Sequence, residues 1–156
     1  MSSANTVFQN GAQMITNYDV TKLFLGGNRY KQGSLKNTTG ATVTILAGTL
    51  LGKVSAIAVD TANVVGYLRV YDSANIEGGA IPVGILANDL VILAGATAVN
   101  VNYCIAGDFD LGKLILANGT DTLATVVAGV AINEKIIAET QLIGVTVDQL
   151  TKFDNQ

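Results

Sequence analysis

The sequence predicts a mainly β domain with one or two short helices and an extended N-terminal arm, and three observations lead there. Between Ala41 and Leu93, runs rich in Val, Ile, Leu and Thr (Val43 to Leu46, Leu50 to Val59, Val64 to Tyr71, Ile81 to Ala87) are separated by the turn formers Gly, Asn, Asp and Ser. Val99 to Ile105 alternates cleanly, with Val99, Val101, Tyr103 and Ile105 on one side and Asn100, Asn102 and Cys104 on the other, as a strand with one buried and one polar face does. From Ser2 to Lys36, Asn, Gln, Thr and Gly mix with isolated apolar residues that follow neither the helical nor the strand period.

That first stretch, residues 1–36, is the expected arm. Such a segment lies extended over a neighbour, with apolar anchors and a backbone that pairs with an exposed sheet edge. Its anchors, and so the candidate partner-binding residues, are Val7, Phe8, Ile15, Tyr18, Leu23 and Phe24. The plainer reading of the same residues is a frayed terminus followed by one strand at Lys22 to Leu25.

Residues 37–156 are expected to form one domain, since neither an internal repeat nor a linker dense in Pro, Gly or Ser divides them. Asn37 to Gly40 reads as a turn before the alternating Thr42, Val43, Thr44 and Ile45. Leu50 to Val59 is apolar on both faces, as in a strand sandwiched between layers. In Val64 to Tyr71 one face carries Val64, Leu68 and Val70, and the other Val65, Tyr67, Arg69 and Tyr71. Tyr and Arg are enriched at interface hot spots, so Tyr67, Arg69 and Tyr71 form a second candidate contact stripe; the alternative is packing across to neighbouring strands. Pro82 marks a strand start, where a missing N–H costs least.

After a turn and strand at Ala106 to Leu116, Thr120, Asp121 or Thr122 is placed to cap a helix over Leu123, Val126 and Val127, ended by Gly129. Asn133 is placed to cap a second over Glu134 to Thr140, although this region also reads as β. Ile143, Val145 and Val147 alternate in a last strand, and Asp148 to Gln156 is a polar tail in which Leu150 and Phe153 can dock.

A chain of 156 residues suffices for a single core. Only 13% of its residues are charged, against roughly 25% in ordinary soluble domains, so part of the surface is expected to be covered by another molecule. Nine Lys and Arg are scattered among twelve Asp and Glu, which argues against a nucleic acid as partner. The single Cys104 permits no intrachain disulfide, and without histidine the usual Cys/His zinc sites are excluded; Cys104 reads as a small packed side chain. No run approaches the roughly 18 apolar residues of a membrane helix, and MSSANTVFQNG is not a signal peptide, so synthesis in a cytoplasm and no membrane partner are expected.

Four pieces stand in a particular order: Leu51, Gly52, Lys53 and Val54; then Tyr71 and Asp72; then Gly78 and Gly79; then Val83, Gly84, Ile85 and Leu86. That order resembles the phage head decoration proteins of the lambda D type. The resemblance runs from Asn37 to Leu116, roughly half the chain, and the segment after Leu116 falls outside it. It implies a β-clip, a bent ribbon closing an incomplete barrel. It also implies a virion structural protein that stabilises the outer surface of an icosahedral capsid, as homotrimers bound to the major capsid protein and engaged through the N-terminal segment. The alternative function is a head-surface fibre base or a receptor- or glycan-binding module. That module needs an exposed aromatic platform, which is hard to build from 6% aromatics without tryptophan.

No catalytic, cofactor or metal residue is assigned, and an enzyme is not expected. Asp108 and Asp110 are the best acidic pair, but a calcium loop counted from Asp108 places Lys113 where glycine is needed and Gly119 where a bidentate Glu belongs. Turn formation by Asp side chains is the better reading. Trimeric dUTP pyrophosphatases have a topology related to the β-clip, and Gly107 to Asp110 is similar to their Gly-x-x-Asp strand; Leu111, Gly112 and Lys113 then depart from their pattern, and no phosphate-binding tail follows. The serines lack a Gly-x-Ser-x-Gly setting and a histidine base. Gly26 and Gly27 precede no Gly-Lys-Ser/Thr, and the triplets at Asn37 and Asn118 read as turns.

Overall fold

The computed structural model describes residues 22–55 and 61–146. The protein is mainly β there. Two long strands dominate, β1 (Phe24–Lys36) and β7 (Thr97–Asp110), with short strands β2 (Val43–Ile45), β3 (Leu50–Lys53), β4 (Leu68–Val70), β5 (Gly84–Leu86) and β6 (Leu90–Ile92) between them in the chain. The hairpin strands β8 (Val126–Val127) and β9 (Val130–Ala131), the helix α1 (Ile132–Glu139) and β10 (Gln141–Val145) follow.

β1 and β7 pair antiparallel from Phe24 opposite Phe109 to Lys36 opposite Thr97, with several shifts of register along the ribbon. The other strands complete a ring in the order β1, β4, β3, β5, β7, closed again by the β1–β7 pairing. The seam between β1 and β4 is a single parallel pair, Leu35 with Leu68. Where β5 leaves β7, after Ile85 opposite Cys104, β10 takes over the same edge and runs parallel from Gln141 opposite Ala106 to Val145 opposite Asp110.

The expected two-sided burial of the strand at Leu50 explains the core. Leu51, Leu68, Leu86, Leu35, Val101 and Tyr103 supply at least one side chain from every strand of the ring, and with Ile45 and Ile92 of the β2–β6 pair they form one buried cluster. That cluster fills the inside. The neighbouring residues Leu50, Ile85 and Cys104 point the opposite way and join Tyr71, Phe109, Ile132, Ile136 and Leu142 in a second cluster under α1. Each fully buried large side chain contributes about 2 kcal/mol. Gly84 lets β5 and β7 approach, because a Cβ there would lie 2.5 Å from the Cys104 carbonyl oxygen and 2.6 Å from the Tyr103 ring.

Several sequence expectations are corrected. Residues 24–36 of the expected arm are β1, a strand of the ring, and only residues 1–21 of that arm lie outside the described residues. The helix expected over Leu123, Val126 and Val127 is instead the β8–β9 hairpin: Ala128 (φ 52°) and Gly129 (φ 84°) make the two-residue turn with both residues left-handed that matches strand twist. The second helix is present and starts at Ile132, with Ile132 and Ile136 one turn apart on its buried face. Its first N–H groups are met by the segment leading into the hairpin, since Ile132 N donates to Thr125 O and Asn133 N to Leu123 O, so no side-chain cap is required.

The last strand also faces the other way from expectation: Leu142 is buried whereas Ile143 is 56% exposed, and Val147 lies outside the described residues. On β7 the polar face exists only at its start. Cys104 is fully buried against the second cluster, so β7 is covered on both sides from Tyr103 onward. The strand expected from Val64 shrinks to Leu68–Val70, with turns before it.

Candidate interaction surfaces

Of the two candidate sets, Val7, Phe8, Ile15 and Tyr18 lie outside the described residues. Leu23 and Phe24 are half-buried against the second core cluster, and the Phe24 ring meets Tyr30 edge-on at 5.6 Å between centroids. They anchor the chain's own fold rather than presenting a free surface.

The Tyr67, Arg69, Tyr71 stripe alternates as expected but faces inward. Tyr71 is 1% exposed in the second cluster. Arg69 donates from Nη1 to Glu77 Oε2 at 2.6 Å, and Tyr67 is half-buried. Burial first, then the negative charges of Asp121 and Asp72, push the Tyr71 hydroxyl up to about 12. Those carboxylates belong to a knot that ties the segment after β4 to the loop before β8. Ser73 donates through Oγ to Asp121 Oδ1 (2.5 Å) and through its N–H to Oδ2 (3.0 Å), and Asn118 Nδ2 donates to Asp121 Oδ2 (2.7 Å) and Asp72 Oδ1 (3.2 Å). Asn118 shapes its own turn, as its triplet suggested, by accepting from the N–H groups of Thr120 and Asp121.

Asp110 has the turn role read from the sequence: its Oδ1 accepts from Gly112 N at 3.0 Å and starts a short 3-10 turn at Leu111–Lys113. Among the described residues no three His, Cys, Asp or Glu converge in a way that would hold a metal ion, and no helix is long and apolar enough to cross a membrane.

Two surfaces that sequence reasoning missed are open. The first is the outer face of the β2–β6 pair. Val43, Ile45, Leu90 and Ile92 pack on the inner cluster, so the alternate residues turn outward, and Leu46, Val91 and Leu93 are 50%, 64% and 67% exposed. The signal was available in the strict alternation of Val43 to Leu46, but only the pairing with β6 shows that Val91 and Leu93 join the same face. The second is a groove of about 680 Å³ into which Arg29 and Lys31 of β1 and Lys53 of β3 converge, with Val83, Tyr103 and Ile105 also lining it. Three of the chain's nine Lys and Arg thus meet in one place, although they are scattered in the sequence.

No protein-family model matches the chain, and no curated protein shows significant similarity to it.

Proposed function

We propose that this chain is a virion structural protein that decorates and stabilises the outer surface of an icosahedral phage capsid, as trimers bound to the major capsid protein. The observation that carries the reading is the outer face of the β2–β6 pair, where Leu46, Val91 and Leu93 stand exposed on a surface poor in charge. An apolar face of this kind is a protein-contact surface in an assembly. The ordered pieces from Leu51 to Leu86, which resemble head decoration proteins, supply the particular assembly. Mechanistically, a chain that binds only the expanded shell stabilises it by its own binding free energy, repeated over many sites.

A fibre base or glycan binder is the weaker reading, since 6% aromatics without tryptophan leave little for an exposed platform; with Tyr71 buried and Arg69 paired to Glu77, that stripe serves neither reading as a contact face. The test is co-sedimentation of the full chain with expanded, undecorated heads, with unexpanded heads as control. Saturable binding to expanded heads alone is expected, weakened when residues 2–20 are deleted. Binding to neither kind of head would overturn the proposal.

A further inference from the structure

We infer that the groove at Arg29, Lys31 and Lys53 is a docking site for an extended acidic segment of a partner protein, which adds as a strand to the open edge of β1. This goes beyond the capsid reading and does not depend on it.

Two independent observations meet on β1. The first is an unpaired edge. β7 occupies one side of β1 along its whole length, whereas the other side is paired only at Leu35, with Leu68 of β4. Between Phe24 and Leu35 the backbone groups that point away from β7 therefore have no partner strand among the described residues. Such an edge is a template for one more strand.

The second is charge. Arg29 and Lys31 sit on that unpaired stretch and, with Lys53 from β3, line the groove. Arg29 is tied to the neutral Gln141 Oε1, and the side-chain amines of Lys31 and Lys53 have no hydrogen bond or ion pair to any described residue. Among the described residues, Glu139, at the C-terminal end of α1, is the only acidic one lining the groove. Three cations against one carboxylate leave a local positive charge on a chain whose net charge is −3. Val83, Tyr103 and Ile105 give the groove apolar surface between the charges. A strand carrying carboxylates on one face satisfies all of this: its backbone pairs with β1, its acidic side chains meet Arg29, Lys31 and Lys53, and its stem atoms lie on Val83 and Ile105. A second copy of β1 is a poor occupant, because it would set Arg29 and Lys31 against themselves.

The probe is an acetylated, amidated peptide alternating glutamate with valine, titrated into the full chain by fluorescence anisotropy. Its partner probe has the same sequence with alternate amides N-methylated, which keeps the charge and removes strand pairing. Saturable binding that weakens with salt is expected, lost on N-methylation, and reduced about tenfold or more by Lys31→Glu with Lys53→Glu. Lys113→Glu, in the 3-10 turn after β7 and not among the residues lining the groove, should leave it unchanged. Melting curves of the variants matching the parent protein establish that the loss is not unfolding, since Lys31 and Lys53 are both exposed. Equal binding of the N-methylated peptide overturns strand addition. Displacement by tripolyphosphate at equal charge concentration reduces the groove to a general anion patch and overturns the proposal, as does no saturable binding up to millimolar peptide.

Discussion

Arg69 donates from Nη1 to Glu77 Oε2 across 2.6 Å, joining β4 to the loop before β5. Glu77 is 4% exposed and is held on its backbone as well, its N–H donating to Asn75 Oδ1 at 2.9 Å and its carbonyl accepting from Ser55 N. Arg69→Met leaves a buried carboxylate without its guanidinium partner. The expected loss is about 2 kcal/mol, below the value for fully buried pairs because the Arg69 side chain is 23% exposed. Urea unfolding checks it, and adding Glu77→Gln to the first change should restore part of the loss. A double variant no more stable than Arg69→Met would mean that the carboxylate is not what the guanidinium supports.

The Tyr71 hydroxyl is buried with no hydrogen-bond partner among the described residues. Its folded pKa, near 12, is raised above the unfolded value of about 10. The folded chain therefore holds its phenol proton through a range in which the unfolded chain gives it up. Stability is unaffected below pH 10 and falls between pH 10 and 12, by about 2 kcal/mol. Tyr71→Phe removes this titration together with an unsatisfied buried oxygen, so at pH 7 it should be neutral or slightly stabilising. Melting temperatures from pH 7 to 11.5 should fall less steeply for the variant; parallel curves would show that Tyr71 does not titrate in this way.

How much of this was legible in the sequence depends on whether a residue's neighbours are local. The double-faced strand at Leu50 and Leu51 was readable, because both side chains are large and apolar and one must go to each side of the sheet. The helix was readable only in part: Asn133 was placed to cap Glu134 to Thr140 with β as the other reading, whereas α1 begins at Ile132 without a side-chain cap. Of β1 only the start was readable, in the strand at Lys22 to Leu25; beyond it Gly26, Gly27 and Asn28 precede the solvent-facing run Arg29 to Gln32, so the period is hidden by register shifts and by exposure on one edge. Val126 and Val127 fit either a helix or a strand, and the choice falls to the Ala128–Gly129 turn. The groove could not be read at all, because closure of the ring brings Lys53 to Arg29 and Lys31.

Asn37 is a buried polar residue whose bonds all lie within the fold. Its Nδ2 donates to the carbonyls of Ala41 (2.7 Å), Ile92 (3.1 Å) and Leu93 (3.0 Å), while its Oδ1 accepts from the N–H and hydroxyl of Thr39. It holds the end of β1 to the β2–β6 pair, which makes the turn read at Asn37 to Gly40 a closure of the barrel end. Asn37→Ala removes three donated bonds at once, although Ala41 O keeps the Thr39 hydroxyl and Leu93 O keeps the Ala96 N–H, and should cost about 2 kcal/mol in chemical denaturation. Asn37→Asp keeps the shape and the acceptor but sets a second oxygen against those carbonyls, so it should be at least as damaging. If Asn37→Asp were as stable as the parent protein, the three donated bonds would not matter.

Val99 and Val101 are two residues apart on one strand and were expected on the same buried face, yet Val99 is 66% exposed and Val101 only 4%. Between them Asn100 takes a φ of 56°, and the pairing with β1 passes from Gly33 opposite Val101 to Leu35 opposite Ala98, so the ribbon bulges and re-aims the side chain. The bulge separates the consequences of one substitution made twice. Val101→Asp places a carboxylate inside the ring beside Leu35, Leu68 and Tyr103, with nothing to pair with, and should destabilise by about 3 to 4 kcal/mol. Val99→Asp meets water and should shift stability by less than about 0.5 kcal/mol. Thermal unfolding of the pair distinguishes a bulged ribbon from a regular one, because a regular strand would penalise both substitutions alike.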